Sequence, residues 1–326
     1  MSKILGMGHY LPERRVGNAE LSQRLGGPVD EVVGEEGPRF RHYAANGEGP
    51  SDLARVAAQR ALHEAGLQPA DLDFLIFATM TPDVTFPGAG CYLQDKLGCR
   101  TVGALDLRAQ CAGFLFALEV AEQFLEAGAY RRILIAAADV HSSGLDFTAR
   151  GRMVTPLFGD GAVAVVLGEE RGGFVDSVIH TDAAEFERFW CEFPSSRRRP
   201  TRLLPEDLPL GRQYPTIDAA FVQSDGLARI RSAVTELLER SGARAREVRR
   251  YFFQHVYRRT ALAAATALGV ADLAVVGGAD VGHIASASLA IALNSARESG
   301  EVAEGDLVCL ATAGAGMNSA AALIRL

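Results

Sequence analysis

The chain has 326 residues, 48% of them hydrophobic, and a formal net charge of −7. That length buries a large core, as one α/β unit or as two domains of about 150 residues each, and the acidic balance gives no reason to expect nucleic acid. No unbroken apolar run reaches membrane-spanning length, since even the Ala-rich stretch from Ala261 to Leu293 is cut by Asp272, Asp280 and His283.

In chain order, apolar spacing predicts a helix from Leu53 to Ala65, a strand at Phe74-Leu75-Ile76-Phe77-Ala78 and a helix from Ala89 to Leu97. A short strand then leads to Cys111. Phe114, Leu115, Leu118, Ala121, Phe124 and Leu125 follow at helical spacing, predicting a helix from Ala112 to Leu125. Ile133 to Ala136 and Ala162 to Leu167 are apolar enough for strands buried on both faces. The second half repeats this order. Ala228 to Arg240 corresponds to the first helix and Tyr251 to Gln254 to the first strand. Ser286 to Arg297 corresponds to the helix after Cys111, and Leu307 to Leu310 with Ala320 to Ile324 supply closing strands. An internal duplication is expected, with halves at residues 1–170 and 171–326. Between them, Thr181 to Ile217 lacks periodicity and holds five prolines. Excursions of that length are more often functional than inert.

The cysteines are Cys91, Cys99, Cys111, Cys191 and Cys309, an odd count without a CxxC pair. Neither a disulfide framework nor a zinc site is expected. Met1-Ser2-Lys3-Ile4-Leu5-Gly6 has neither a signal-peptide nor a transit pattern, so a soluble cytoplasmic protein is expected. Cys111 stands where a strand turns into an apolar helix. There, unpaired backbone N–H groups and the helix dipole favour a nucleophilic thiolate. The local pattern equally fits a buried structural thiol. His255 ends the Tyr251–Gln254 strand, and His283 follows Gly277-Gly278-Ala279-Asp280-Val281-Gly282 before a helix. Both lie at carboxyl ends of strands, where ligands gather in open α/β sheets. A thiol with two imidazoles suits acyl transfer, one ring activating the nucleophile and N–H donors holding a carbonyl oxygen as it gains charge.

With these residues in place, the chain resembles the β-ketoacyl-ACP synthase III branch of the thiolase-like condensing enzymes, nearly end to end. Ile4 to Pro12 resembles the family's opening strand and turn, and Gly37-Pro38-Arg39-Phe40-Arg41-His42 its Gly-Ile-Arg-x-Arg pattern. Asp106-Leu107-Arg108-Ala109-Gln110-Cys111-Ala112-Gly113-Phe114 resembles its nucleophile motif, and Phe158-Gly159-Asp160-Gly161-Ala162 its glycine turn. The resemblance implies an α/β chain with a duplicated, five-layered αβαβα thiolase-like fold, a homodimer, and catalysis by Cys111, His255 and His283. It implies no cofactor and no metal, acyl-CoA and acyl carrier protein thioesters being substrates. Phe86, before Pro87, matches the residue extended across the dimer interface into the partner's acyl tunnel, and Arg150 matches an arginine that contacts the nucleotide of CoA.

Several positions depart from the family. Its third catalytic position is asparagine and here is His283, so the set resembles the Cys-His-His of elongating ketosynthases. After His255, Val256-Tyr257-Arg258-Arg259 replaces Gln-Ala-Asn-Leu, putting Arg258 and Arg259 where CoA or a carrier would be met. Asp30 to Glu36 has no tryptophan to stack on adenine, and Gly314-Ala315-Gly316-Met317-Asn318 lacks the tryptophan of the family's ending. That ending is somewhat like the branch joining two acyl chains head to head, but no carboxylate stands near Phe86 to act as its base. Arg197–Arg199 and the group Arg244, Arg246, Arg249 and Arg250 are candidates for a basic rim steering an acidic carrier protein. The expected reaction is condensation of a Cys111-bound acyl group with a malonyl thioester, with loss of CO2, in fatty-acid or polyketide synthesis. The alternatives are transfer of that acyl group to an oxygen, nitrogen or sulfur acceptor without carbon–carbon bond formation, and a non-catalytic partner subunit.

Overall fold

A computed structural model describes residues 2–170, 172–199 and 202–326. Among them, the main strands form two five-stranded mixed sheets with the same internal order. The first runs Lys3–Tyr10, Gly161–Gly168, Arg132–Asp139, Phe74–Ala78, Gly103–Leu107. The second runs Phe174–Thr181, Asn318–Arg325, Leu307–Gly314, Arg250–Gln254, Ala274–Val276. In each, the two outermost pairings on one side are antiparallel and the two on the other side are parallel.

Alternation of side chains along the strands builds the layers. Ile133, Ile135 and Ala137 face one core, while Leu134, Ala136 and Ala138 face another. The central core joins both sheets to the helices Gly113–Glu126 and Ser288–Glu298. The outer face of the first sheet packs against Pro50–Ala65 and Ala89–Leu97, and that of the second against Ala219–Ser241 and Arg258–Ala267. The result is the expected five-layered, duplicated fold. Close approach of the first outer helix depends on glycine. A Cβ at Gly6 would lie 2.2 Å from the Ala61 carbonyl and one at Gly8 2.5 Å from that of Ala57, so the alanine face of the helix rests directly on the strand.

The strand at Phe74–Ala78 and the helix at Ala89–Leu97 fall where the sequence places them, the helices Gly113–Glu126 and Ser288–Glu298 start slightly later than expected, and most other elements extend beyond their apolar centres. Phe174–Thr181, Ala274–Val276 and Arg258–Ala267 were not expected. The two strands are sheet edges, where only part of each strand is buried and alternation is weak. The helix opens with two arginines that obscure its alanine-rich buried face. The connection after Thr181 folds into a two-stranded ribbon of Phe189–Trp190 with Thr216–Ile217 and a short helix, Asp207–Leu210. No helix among the described residues is long and apolar enough to cross a membrane.

Candidate active site

Cys111 lies in the single turn Gln110–Ala112 between the Gly103–Leu107 strand and the helix Gly113–Glu126. Gln110 takes φ +47°, a left-handed conformation that costs a side-chain-bearing residue on the order of 1 kcal/mol. Its Oε1 accepts a hydrogen bond from Asn318 Nδ2 at 3.1 Å, which ties the strained turn to the second sheet. The thiol is only 3% exposed. Burial pushes its pKa up to about 12, although the Ala315 N–H and its own backbone N–H act the other way. The thiolate expected from the helix start is thus opposed by desolvation, and the resting group is a thiol at neutral pH.

His283 is brought to Cys111 from the other half, with Nε2 at 3.2 Å from Sγ. The loop carrying it is clamped by the Phe158–Gly161 turn. His283 N–H donates to the Leu157 carbonyl at 2.8 Å, and Gly159 N–H donates to the His283 carbonyl at 3.0 Å. A Cβ at Gly159 would sit 2.3 Å from the Val281 carbonyl, and Asp160 anchors the turn by accepting from Ala44 N–H and Ser142 N–H at 2.8 and 2.9 Å. The glycine motif therefore positions His283. Arg41, fully buried, holds the facing loops by donating to Asn18 Oδ1 at 2.6 Å and to the Pro156 carbonyl.

His255 ends the Arg250–Gln254 strand, and its Nδ1 accepts from Tyr257 N–H at 3.1 Å. The ring proton therefore sits on Nε2, a buried atom that makes no well-formed hydrogen bond among the described residues, although the Val222 main chain lies against the ring. Gly226 of the Ala219–Ser241 helix makes room for that ring: a Cβ there would be 2.3 Å from Nε2. Burial lowers the pKa of His255 to about 4. It lowers that of His283 well below the ordinary value, with His141 and His255 adding to the effect. Both imidazoles are neutral at physiological pH.

Beside this centre, Met80, Gln110, Phe186, Phe189, Trp190 and Ala315 line a cavity of about 330 Å³. The aperiodic connection supplies its aromatic wall. Gln254, Thr312 and the buried His141, whose ring lies 4.7 Å from that of Phe158, also went unread in the sequence. The signal available for the wall was the chain's only tryptophan, in a segment without period.

Of the remaining sequence-derived positions, Arg258 lines a small pocket together with Gln254, His255 and His283, and the others lie further from the cysteine. Arg150 bonds Asp146 at 2.5 Å and the Pro209 carbonyl at 2.9 Å, beside a cavity of about 250 Å³ lined by Leu145, Thr155, Leu210, Gly211 and Tyr214. Arg258 donates to the carbonyls of Gly277 at 3.0 Å, Val276 at 2.8 Å and Glu36, and Arg259 donates to Gln223 Oε1. The candidate basic rim is met by carboxylates: Arg198 by Asp207, Arg244 by Glu247, Arg246 by Asp272, Arg249 by Asp306, Arg250 by Glu301. Phe86 is 81% exposed. No group of three or more His, Cys, Asp or Glu residues among the described residues is arranged to hold a metal.

Two duplicated halves that deliver a cysteine and two neutral imidazoles to carboxyl ends of their strands define a thiolase-like condensing enzyme. Two family models match, 3-oxoacyl-[acyl-carrier-protein] synthase III over residues 105–183 and its C-terminal part over residues 238–326. The β-ketoacyl-[acyl-carrier-protein] synthase III of Bradyrhizobium diazoefficiens is 36% identical over 334 residues, covering 99% of this chain and 98% of the relative. Among solved structures, the synthase III of Aquifex aeolicus superposes with a TM-score of 0.89 at 28% identity over all of both chains. The priming β-ketosynthase of the R1128 polyketide pathway gives 0.90 at 31% identity, over 100% of this chain and 96% of that one. The chain belongs to the 3-oxoacyl-ACP synthase III family and is a condensing enzyme, an acyltransferase.

Proposed function

We propose that Cys111 accepts an acyl group from acyl-CoA or an acyl carrier protein and passes it to a malonyl thioester with loss of CO2. In the first step Sγ adds to the donor's thioester carbonyl, and the donor thiol leaves with the proton Cys111 gives up. In the second, the bond from the malonyl α-carbon to its carboxylate breaks, its electron pair forms an enolate, and CO2 departs. The enolate carbon then attacks the acyl carbonyl, and Cys111 leaves as a thiolate that regains a proton. The observation that carries this reading is the pair of neutral rings. His283 stands 3.2 Å from the sulfur, and His255 keeps a buried Nε2–H that makes no well-formed hydrogen bond among the described residues. Each suits donation to an enolate oxygen, and Ala315 N–H, already directed at Sγ, suits the oxyanion of the acyl carbonyl.

Transfer to an oxygen or nitrogen acceptor would require His255 to act as a base toward it. Its Nδ1 is occupied by Tyr257 N–H and its Nε2 carries the proton, which favours condensation. The aromatic-walled cavity is the proposed seat of the acyl group. Arg150 and the cavity beside it are the proposed contact for the nucleotide of CoA, and Arg258 and Arg259, close to His255 in the chain, are the further proposed contacts for the donor. A second copy of the chain is the proposed partner of the Gly103–Leu107 edge strand and of Phe86, both open to solvent. Intact mass spectrometry of a malonyl carrier protein, after exposure to enzyme preloaded from an acyl-CoA panel, tests the reaction. The carrier should gain the acyl mass and lose CO2, and Cys111→Ala should abolish both. Acylation of Cys111 with a malonyl carrier that keeps its carboxylate would overturn the proposal.

A further inference from the structure

The role of His283 depends on which ring nitrogen carries the proton. Nε2 faces Cys111 Sγ at 3.2 Å, and the side-chain amide nitrogen of Gln254 lies against Nδ1, further from the ring's Nε2 at 3.4 Å. The other end of that amide is bonded in turn. Its Oε1 accepts from the Thr312 hydroxyl at 2.5 Å, which leaves its NH2 group turned to His283. An amide nitrogen only donates, so Nδ1 supplies the lone pair and the single proton of the neutral ring sits on Nε2. All three side chains are buried, and Gln254 and Thr312 are direct partners in the ladder between the Arg250–Gln254 and Leu307–Gly314 strands. The chain Thr312–Gln254–His283–Cys111 thus starts from two paired strands of the second sheet and ends at the nucleophile.

We infer that Gln254, held by Thr312, is a positioning residue that fixes His283 as a hydrogen-bond donor toward Cys111 and the substrate oxygen. This rests on the condensing reaction proposed above. A donor at Nε2 stabilises the enolate oxygen that forms as CO2 leaves, whereas a lone pair there would repel it. The opposite tautomer would instead take the Cys111 proton and activate the thiol. Gln254 therefore sets the balance between loading and condensation.

Two substitutions invert the arrangement. Gln254→Glu places a carboxylate that accepts from Nδ1–H, moving the ring proton off Nε2. Thr312→Val keeps the volume but removes the hydroxyl bonded to Gln254 Oε1, freeing the amide to turn its oxygen to His283. Both are measured on the full chain in two ways: Cys111 alkylation by iodoacetamide against pH, and single-turnover decarboxylation of malonyl carrier protein by acyl-loaded enzyme. Decarboxylation should fall about 10²–10³-fold in Gln254→Glu and less in Thr312→Val. Alkylation at neutral pH should hold or rise in both, with its profile displaced to lower pH. The ¹⁵N shifts of His283 should report the proton on Nε2 in the parent and on Nδ1 in Gln254→Glu. Equal losses in both half-reactions, or decarboxylation at the parental rate, would overturn the inference. A parent enzyme that alkylates but never decarboxylates would instead remove the condensing reading, and the ¹⁵N shifts would still decide the tautomer.

Discussion

Gly314→Ala places one methyl group against the nucleophile. Its Cβ would lie 2.4 Å from Cys111 Sγ and 2.5 Å from Cys111 Cβ, where carbon atoms are at ease at about 3.5–4.0 Å. The sulfur can rotate away, at the cost of its contact with His283. The Cβ cannot, because it moves only with the main chain of the Gln110–Ala112 turn, which Asn318 ties to Gln110. Gly314 is also held, paired in register with Asn318 at the end of the Leu307–Gly314 strand. Overpacking of this kind costs about 1–3 kcal/mol, a fall of several degrees in melting temperature. A nucleophile displaced by about 1 Å loses on the order of 10²-fold in rate. A time course of Cys111 acylation by intact mass, with circular dichroism to establish folding, measures both effects. A folded Gly314→Ala protein that acylates within about threefold of the parent would refute the reasoning.

Gly226→Ala should act on the second half-reaction, because its Cβ would meet His255 Nε2 at 2.3 Å and leave Cys111 untouched. Acylation should persist while decarboxylation falls by about 10²-fold, as read from CO2 release in single turnovers. His283→Asn keeps a neutral N–H donor and should retain condensation within about tenfold, whereas His283→Ala should lose about 10²–10³-fold in the same assay. Stability should decline in mild acid. His255 has a folded pKa of about 4, so below its ordinary 6.5 the unfolded chain takes up a proton that the folded chain refuses. Between pH 7 and 4 that removes on the order of 3 kcal/mol, with His283 acting in the same direction. The urea midpoint should fall across that window, and a midpoint flat with pH would contradict neutral buried rings.

Much of the frame is legible because burial on both faces leaves unbroken apolar runs, as at Phe74–Ala78 and Ile133–Ala136. Cys111 and His255 are legible because each follows a strand-like run, and His283 because it stands between a glycine-rich loop and an apolar helix. Gln254 is not: a glutamine ending a strand looks like any polar boundary, and its meaning appears only when Thr312 and His283 arrive from other parts of the chain. A local helix dipole points to a thiolate at Cys111, whereas burial by two halves distant in sequence favours the thiol. The surroundings of the arginines are likewise set by distant parts of the chain. Their clustering suggests a positive rim, but carboxylates as distant as Asp272 and Glu301 meet them in space. The cavity wall at Phe186, Phe189 and Trp190 has no period to read, because an irregular ribbon shapes it.

The central claim is that one CO2 is lost for each acyl group leaving Cys111. The direct measurement loads the enzyme with one acyl equivalent, adds carrier protein bearing ¹³C-carboxyl-labelled malonyl thioester, and follows labelled CO2 and the Cys111 acyl mass together. The expected result is one labelled CO2 per acyl group lost, a 3-oxoacyl carrier as product, and neither event in Cys111→Ala. Acyl loss from Cys111 without labelled CO2, the malonyl carrier remaining intact, would contradict it.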